Sequence, residues 1–173
     1  MGGITISSVT NANVYINGNS FLGKIEEAKM PVVKHTMTEK KALGMVGKLE
    51  TWAGFDKMEA TLKINSMYKD LMTLIANPTK AVQLQLRSYI ETQGSQGSIG
   101  SAAMVTYLTG VFKEIDLGNF KQHDNVEISA PMTVSYIKQV IDGQDIIEID
   151  AYSNIYKVNG EDILASYKNA IGG

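Results

Sequence analysis

Apolar and polar residues alternate along much of this chain, and a period of two predicts half-buried β-strands. The alternation is clearest over 126–136, where apolar side chains from Val126 to Tyr136 take every second position. The polar face of that segment is formed by Glu127, Ser129, Thr133 and Ser135. Shorter stretches of the same kind cover 58–64 and 82–87. Each of these segments predicts a strand with one face in the core and one in water.

Three Asn-Gly or Asp-Gly pairs mark tight turns between predicted strands. Asn17-Gly18 follows the strand 13–16, and Asn159-Gly160 ends the strand 153–158. The pair Asp142-Gly143 separates 136–141 from 145–150 and predicts a hairpin. The segment 103–112 is apolar on both faces and predicts a more deeply buried strand.

Helical periodicity is scarce. Residues 67–77 carry a helical stripe that ends at Asn77-Pro78, formed by Met67, Leu71, Leu74 and Ile75. A second helical turn is predicted near the C-terminus, with Ile163, Leu164 and Tyr167 on one face. The pattern predicts one mainly β domain over residues 1–173, an antiparallel β-sandwich or barrel with one packed α-helix.

Two segments do not fit a compact monomer. The Gly/Ser-rich stretch 92–101 predicts a mobile connector. The long stretch 38–55 is punctuated by glycines and has Leu43, Met45 and Val46 at its tip. Such a tip is an exposed apolar patch in a monomer and a contact in an assembly.

Composition narrows the functional classes. A formal net charge of -2 provides no basic field for a phosphate backbone, which argues against DNA as a direct, sequence-independent ligand. The absence of cysteine excludes disulfides, thiolate nucleophiles and thiolate metal ligands. No apolar run approaches the ~20 residues that a membrane span needs, so stable membrane insertion is not expected. The start has no secretory pattern, which favours a cytoplasmic chain, and Met1-Gly2-Gly3 predicts a flexible N-terminus.

Several arrangements resemble catalytic or ligand sites. Glu148 and Asp150 share one strand face, so their carboxylates lie near each other, and glycosidases use paired acids, but such pairs usually come from different elements across a cleft. His35 and His123 have no neighbouring ligand at metal-binding spacing. The serines lie in no G-x-S-x-G motif, and the glycines of 94–100 lack the lysine of a phosphate loop. The sequence therefore predicts no enzyme, metal site or cofactor.

Four aromatic residues offer a second class of function. Side chains of this kind can stack against sugars or bases in binding modules. Their spacing does not order them into such a platform, so use in the core or in an interface is favoured. These residues are Trp52, Phe55, Tyr152 and Tyr156.

Several motifs, in order along nearly the whole chain, resemble one family. EIDAYSNIYKVNGEDILASYKNAIG over 148–172 resembles the C-terminal signature of major tail tube proteins from contractile-tailed phages of the P2 type and from R-type bacteriocins. VFKEIDLGNFKQHDNVE over 111–127 and MTVSYIKQVIDG over 132–143 resemble its KEID segment and its strand before a DG turn. NVYINGNSFLGKIEEAKMP over 13–31 and ALGMVGKLE over 42–50 resemble its first strand and its hairpin tip.

The resemblance implies a structural role without catalysis. Subunits would join edge to edge into hexameric rings, their sheets would merge into a continuous β-barrel, and rings would stack into a hollow tube inside a contractile sheath. The implied partners are further copies of this chain, a sheath protein, baseplate and tail terminator proteins, and DNA in the bore if the particle is a phage. The resemblance also implies that the chain is assembled in a bacterial cytoplasm and resides in a virion tail or bacteriocin particle.

The same resemblance assigns residues to surfaces. The inter-ring contact is predicted in the loop 38–55, at Leu43, Gly44, Met45, Val46 and Gly47, and residues 159–173 are predicted to form a C-terminal arm. Polar strand faces supply the candidates for the lumen: Gln83, Gln85, Arg87, Glu127, Ser129, Thr133 and Ser135. Two alternatives stay open, a tube protein of the type VI secretion kind and a monomeric β-sandwich that binds carbohydrate.

Overall fold

The computed structural model describes residues 3–173, so Met1 and Gly2 of the predicted flexible start lie outside the described residues. Within that range the chain forms twelve strands and two short helices, and every strand pairing is antiparallel. The strands are β1 (Ile6–Ile16), β2 (Asn19–Ser20), β3 (Ile25–Lys29), β4 (His35–Lys40), β5 (Leu49–Phe55), β6 (Met58–Ile64), β7 (Val82–Gly94), β8 (Gly97–Phe112), β9 (Ile128–Ile141), β10 (Gln144–Asp150), β11 (Ile155–Val158) and β12 (Glu161–Asp162). The helices are α1 (Lys69–Ile75) and α2 (Ala165–Ile171). The predicted mainly β, antiparallel fold is confirmed.

The predicted Asn-Gly and Asp-Gly turns are present. Asp142 and Gly143 have φ values of 52° and 79°, and Asn159 and Gly160 have 52° and 83°. Positive φ at both central residues is the requirement of the type I′ turn, whose twist matches that of the flanking strands. Asn17 and Gly18 join β1 to β2 in the same way. Local chemistry therefore fixes three of the chain reversals.

Strand β9 organises the large sheet. Its first half pairs with β6, which in turn pairs with β3, and its second half pairs with β10. On its other edge β9 pairs with β8, and the sheet continues through β7 to β1. Because β6 and β10 share one edge of β9, the sheet divides there, and the inner faces of both parts contribute to one core.

The core is apolar and closed on one side by α1. Leu62, Leu84, Leu108 and Ile128 have almost no exposed surface and come from four different strands. Burial of each such side chain stabilises the fold by about 1.5–3 kcal/mol. Helix α1, predicted over 67–77, is shorter in the structure. Two residues of its apolar stripe, Leu71 and Ile75, are buried in the core. Helix α2 has no buried residue, so α1 is the packed helix.

A bulge in β9 changes the predicted faces of that strand. Gly110 of β8 pairs with Val134, but Thr109 pairs with Tyr136, so Ser135 is the extra residue. The shift moves Tyr136 out of the inward alternation that holds Ile128 to Val134. The prediction that Tyr136 shares the apolar face is therefore wrong. The signal was hidden because an inserted residue leaves no mark in the hydrophobic pattern.

Two predictions about β7 and β8 are also wrong. Tyr107 of β8 is exposed and Thr109 is half-buried, so 103–112 is covered on one face only. The Gly/Ser-rich stretch is not a free connector, because β7 and β8 remain paired out to Gly94 and Gly97 across a two-residue turn. Gly97 has a φ of 106°, which lets the chain reverse there.

Candidate functional site

The hairpin of β4 and β5 forms a sheet of its own. It pairs with no other strand within residues 3–173, and all of β4 and the first five residues of β5 are exposed. At its tip Leu43 and Val46 are fully exposed, and Met45 is partly exposed. Gly44, with a φ of 89°, turns the chain between them, and Gly47 completes the tip. The predicted loop 38–55 is thus a projecting hairpin that presents apolar side chains to solvent.

Aromatic contacts attach the base of this hairpin to the body. Trp52 stacks on Tyr156 of β11, with ring centroids 6.1 Å apart, and Phe55 meets the same ring edge-on at 5.9 Å. The Trp52 indole Nε1 donates a hydrogen bond to His35 Nδ1 at 3.0 Å. Three of the four aromatic residues singled out in the sequence therefore converge. Tyr152 is 90% exposed, and no aromatic contact joins it to this cluster in the described chain.

Two charged surfaces lie on and beside the hairpin. On one face of the hairpin, Glu39 and Glu50 are direct cross-strand partners, next to the pair of Met37 and Trp52. We call these four residues the acidic face. Near the hairpin base lies a groove of about 280 Å³ between the β3–β4 and β5–β6 connections. We call it the lysine groove; its basic and apolar lining is Lys29, Met30, Val32, Lys34 and Lys57.

Most of the predicted lumen residues occupy the outward face of the large sheet. Gln83, Gln85 and Arg87 alternate with buried leucines on β7, and their cross-strand partners on β8 are Thr109, Tyr107 and Val105. Arg87 lies over the ring of Tyr15, 4.7 Å from its centroid. Because cross-strand partners share a face, one polar surface crosses β1, β7 and β8.

The remaining lumen candidates have different settings. Thr133 pairs with Val111 and Glu59, and Ser129 pairs with Lys63, which places both on that same outward face. Glu127 is exposed and precedes β9. Ser135 lies at the bulge, is half-buried, and donates its hydroxyl to the Thr109 carbonyl at 3.3 Å. None of the seven is packed in the apolar core.

The carboxylates of β10 have structural partners. The Tyr136 hydroxyl donates to Glu148 Oε1 at 3.2 Å, and burial together with the Glu148 charge raises the pKa of Tyr136 to about 12. Asp150 Oδ1 accepts the backbone N–H groups of Tyr152 and Ser153 at 3.0 and 3.3 Å and thereby closes the turn after β10. The pair predicted as a solvated strand face thus supports the sheet and a turn.

The described residues hold no group of three or more His, Cys, Asp or Glu side chains arranged for a metal ion. His35 is occupied by the Trp52 hydrogen bond, and His123 lies in the irregular segment between β8 and β9. Between Gly3 and Gly173 the structure contains no helix that is long and apolar enough to cross a membrane.

Comparison with known proteins identifies the family. A family model described as phage tail tube protein FII matches residues 6–172. The chain belongs to this family. Two curated relatives are similar to this chain over most of their length. The tail tube protein of Escherichia phage P2 is 27% identical over 166 residues, which are 92% of this chain and 94% of the relative. The major tail tube protein of Serratia phage KSP20 is 24% identical over 152 residues, covering 87% and 86%.

Solved structures support the fold of this tail tube protein. A chain from the cryo-EM structure of the PVC extracellular contractile injection system, sheath/tube terminator in the extended state, superposes with a TM-score of 0.57 at 10% identity. The match covers 77% of this chain and 95% of that one. A chain of the PVC sheath-tube complex in the extended state gives 0.55 at 9% identity, over 75% and 87%.

Several surface residues of the chain were not predicted from the sequence. Tyr107, Thr109 and Lys138 lie on the polar sheet face beside the lumen candidates, because strand register brings them there. Glu39 and Glu50 lie at equal distances in sequence from the Gly44-Met45 tip, so a hairpin centred on that tip places them opposite each other. The lysine groove has no sequence signal, because its lining comes from two connections brought together by the fold.

Proposed function

We propose that this chain is the subunit of the inner tube of a contractile tail, and that it forms hexameric rings which stack into a hollow conduit. The observation that carries this proposal is the projecting hairpin in a member of the tail tube family: its apolar tip has no contact within residues 3–173 that would cover it. A subunit that exposes Leu43 and Val46 in this way is incomplete alone.

Ring formation is supported by an open sheet edge. Strand β1 pairs with β7 along one side, but on its other side only Tyr15 and Ile16 are paired with another strand of residues 3–173, namely β2. The Val14 carbonyl also accepts the Phe21 N–H on this side, so the edge from Ile6 to Asn13 offers backbone hydrogen-bonding groups to a strand of another copy. Closing such edges around a ring removes surfaces that would otherwise aggregate.

Ring stacking is assigned to the hairpin tip. Leu43, Gly44, Met45, Val46 and Gly47 would lie against an adjacent ring, where burial of the apolar side chains drives the contact. The polar sheet face with Gln83, Gln85 and Arg87 would line the bore, and residues 159–173 would act as an arm between subunits. The tube is passive in this proposal, and it has no catalytic role.

The partners follow from this role. A sheath protein would surround the tube, and baseplate and terminator proteins would cap its ends. In a phage, DNA would pass through the bore; in a bacteriocin, the opened tube would let ions cross the target envelope. The chain would be assembled in the bacterial cytoplasm and remain in the particle. The carbohydrate-binding alternative has less support, because Trp52, Phe55 and Tyr156 pack against one another at the hairpin base.

The decisive experiment is negative-stain electron microscopy of the purified chain over a concentration series, with the variant Leu43→Ser/Val46→Ser in parallel. We expect the wild type to form hollow tubes of uniform width. The variant should form rings that do not stack, because its tips no longer gain free energy from burial.

Leu22→Ser is the matched control, because Leu22 is also an exposed leucine but lies in the turn before β3. This variant should form tubes as the wild type does. Tubes of normal length from the tip variant would remove the hairpin from the stacking contact. A wild-type chain that stays monomeric at every concentration would contradict the proposed function.

A further inference from the structure

The acidic face of the hairpin is poorly satisfied within its own chain. Glu39 and Glu50 are directly opposed, and like charges in that position destabilise a strand pair. Lys48 reaches Glu39 at 3.2 Å, which leaves Glu50 without an ion pair among residues 3–173. Met37 and Trp52 on the same face are 47% and 41% exposed. With Glu39 paired to Lys48, this face keeps one carboxylate without an ion pair in the described chain, that of Glu50, next to uncovered apolar surface.

The lysine groove has the opposite character. Two acids belong to its lining, and one of them, Glu59, forms ion pairs with both Lys57 and Lys113. Hydrogen bonds from Lys113 and then Lys57 lower the pKa of Glu59. Lys29 and Lys34 are in no ion pair within the described part of the chain. Asp56 is the remaining acid in the lining, and Val32 adds exposed apolar surface. The groove therefore has an excess of positive charge beside an apolar patch.

The two surfaces cannot meet within one chain. Glu39 follows Lys34 by five residues of extended backbone, which span about 16 Å. The paired β4 and β5 hold the two carboxylates, Glu39 and Glu50, away from the groove at the hairpin base. A contact between them requires two copies, with the hairpin of one copy reaching the groove of the other.

We infer that the acidic face of one copy docks in the lysine groove of a second copy, with Glu39 and Glu50 facing Lys29 and Lys34. This contact rests on the proposed tube function and adds to it a specific recognition surface. It is heterologous, since hairpin and groove are different patches, and heterologous contacts generate closed rings or open stacks. The apolar tip lies beyond the acidic face, so tip and acidic face would engage one neighbour together.

Charge reversal in trans tests the inference. Variant one is Glu39→Lys/Glu50→Lys, and variant two is Lys29→Glu/Lys34→Glu. Each alone opposes like charges at every contact, so we expect the concentration for half-maximal assembly to rise about tenfold or more. In an equimolar mixture the reversed hairpin of variant one meets the reversed groove of variant two, and the two native surfaces also match. The mixture should therefore assemble near the wild-type concentration.

Controls separate this contact from folding and from the tube function. Asp124→Lys and Lys80→Glu reverse exposed charges outside both surfaces and outside the arm 159–173, and they should assemble normally. Circular dichroism and the emission of Trp52, the single tryptophan, report whether the hairpin is folded in each variant. Assembly is followed by sedimentation velocity and negative-stain microscopy.

Three results would overturn the inference while the tube function stands. If either variant alone assembles as the wild type does, charge complementarity does not contribute to the contact. If neither the two variants nor their mixture assembles, the acidic face and the lysine groove contact different partners. Normal tubes that no longer bind sheath protein would assign the acidic face to the sheath. A wild type without rings or tubes would instead contradict the proposed function and this contact with it.

Discussion

Gly110 occupies a point where β8 and β9 approach too closely for any side chain. A Cβ atom built there would lie 2.0 Å from the Thr133 carbonyl oxygen, and that backbone atom cannot move aside as a side chain would. The position adjoins the bulge at Ser135, so the close approach and the bulge belong to one local geometry.

Gly110→Ala should lower the free energy of unfolding by about 1–3 kcal/mol, since the added methyl group must push two central strands apart. Urea denaturation followed by circular dichroism measures the change. Gly100→Ala is the matched control in the same strand, because a Cβ at Gly100 meets no atom of residues 3–173 within 4 Å. Equal stability of the two variants would contradict this explanation.

Asp116 holds the irregular segment between β8 and β9 in place. Its Oδ1 accepts the Gly118 N–H at 2.9 Å, and its Oδ2 accepts the Ser129 N–H at 3.1 Å. These two backbone hydrogen bonds, that from Ser129 first, lower the pKa of Asp116. The carboxylate therefore stabilises the fold when it is ionised, at pH values above its ordinary pKa of about 3.9.

Asp116→Asn should cost about 1 kcal/mol of folding free energy at pH 7, because one of the two N–H groups loses its acceptor. The difference from wild type should shrink as the pH falls below about 4 and through the lowered native pKa, where the wild-type carboxylate also becomes protonated. Urea denaturation at pH 7, 5, 4 and 3 tests this. Glu114→Gln serves as the control, and a pH-independent difference for Asp116→Asn would contradict the assignment.

At the level of elements, the attachment of the β4–β5 hairpin depends on Tyr156. This residue is 8% exposed and contacts Trp52, Phe55 and His35. Tyr156→Leu should leave the large sheet folded but release the hairpin base, because aromatic pairs of this kind contribute about 0.5–1.5 kcal/mol each beyond area burial.

The release of the hairpin can be observed directly. Trp52 emission should shift to longer wavelength in Tyr156→Leu, and proteases should cut within 35–55 faster than in the wild type. Tyr152→Leu, four residues away and fully solvated, should change neither property. Unchanged Trp52 emission in Tyr156→Leu would show that the hairpin is held elsewhere.

Local chemistry decided which elements were predictable. The Asn17-Gly18, Asp142-Gly143 and Asn159-Gly160 turns were predicted because their residues tolerate positive φ, and the alternation over 58–64 and 82–87 predicted two strands directly. The bulge at Ser135 and the exposure of Tyr107 depend on strand register, which a single strand does not encode. The Gly/Ser-rich stretch was misinterpreted because its composition also suits the end of a long hairpin.

The candidate surfaces were also only partly predictable from the sequence. The apolar tip was evident from the sequence, since Leu43 and Val46 interrupt a polar, Gly-punctuated segment. The lumen candidates followed from period-two alternation, and the structure places them outside the core, although their position in a tube stays a prediction. The lysine groove required tertiary structure, because its lining is distant in sequence.

For the molecule as a whole, the length of the proposed tube should depend on temperature and on sulfate. Burial of the hairpin tip is a hydrophobic contact, which weakens on cooling and strengthens in sulfate. Wild-type tubes should therefore shorten between 25 °C and 4 °C and lengthen in ammonium sulfate, as measured from electron micrographs. The Leu43→Ser/Val46→Ser variant should show neither response. Tube lengths independent of both conditions would argue against an apolar stacking contact.

The self-paired hairpin has a kinetic consequence. A two-stranded ribbon with water on both faces is marginally stable, so its backbone amides should exchange with deuterium far faster than those of β8 and β9. Each copy would lose the conformational entropy of this hairpin only when the hairpin binds a neighbouring copy. Two free copies must both become ordered at once, whereas an existing tube end is already rigid. Growth should therefore begin after a lag and proceed from seeds, which keeps surplus subunits dispersed until a template is present.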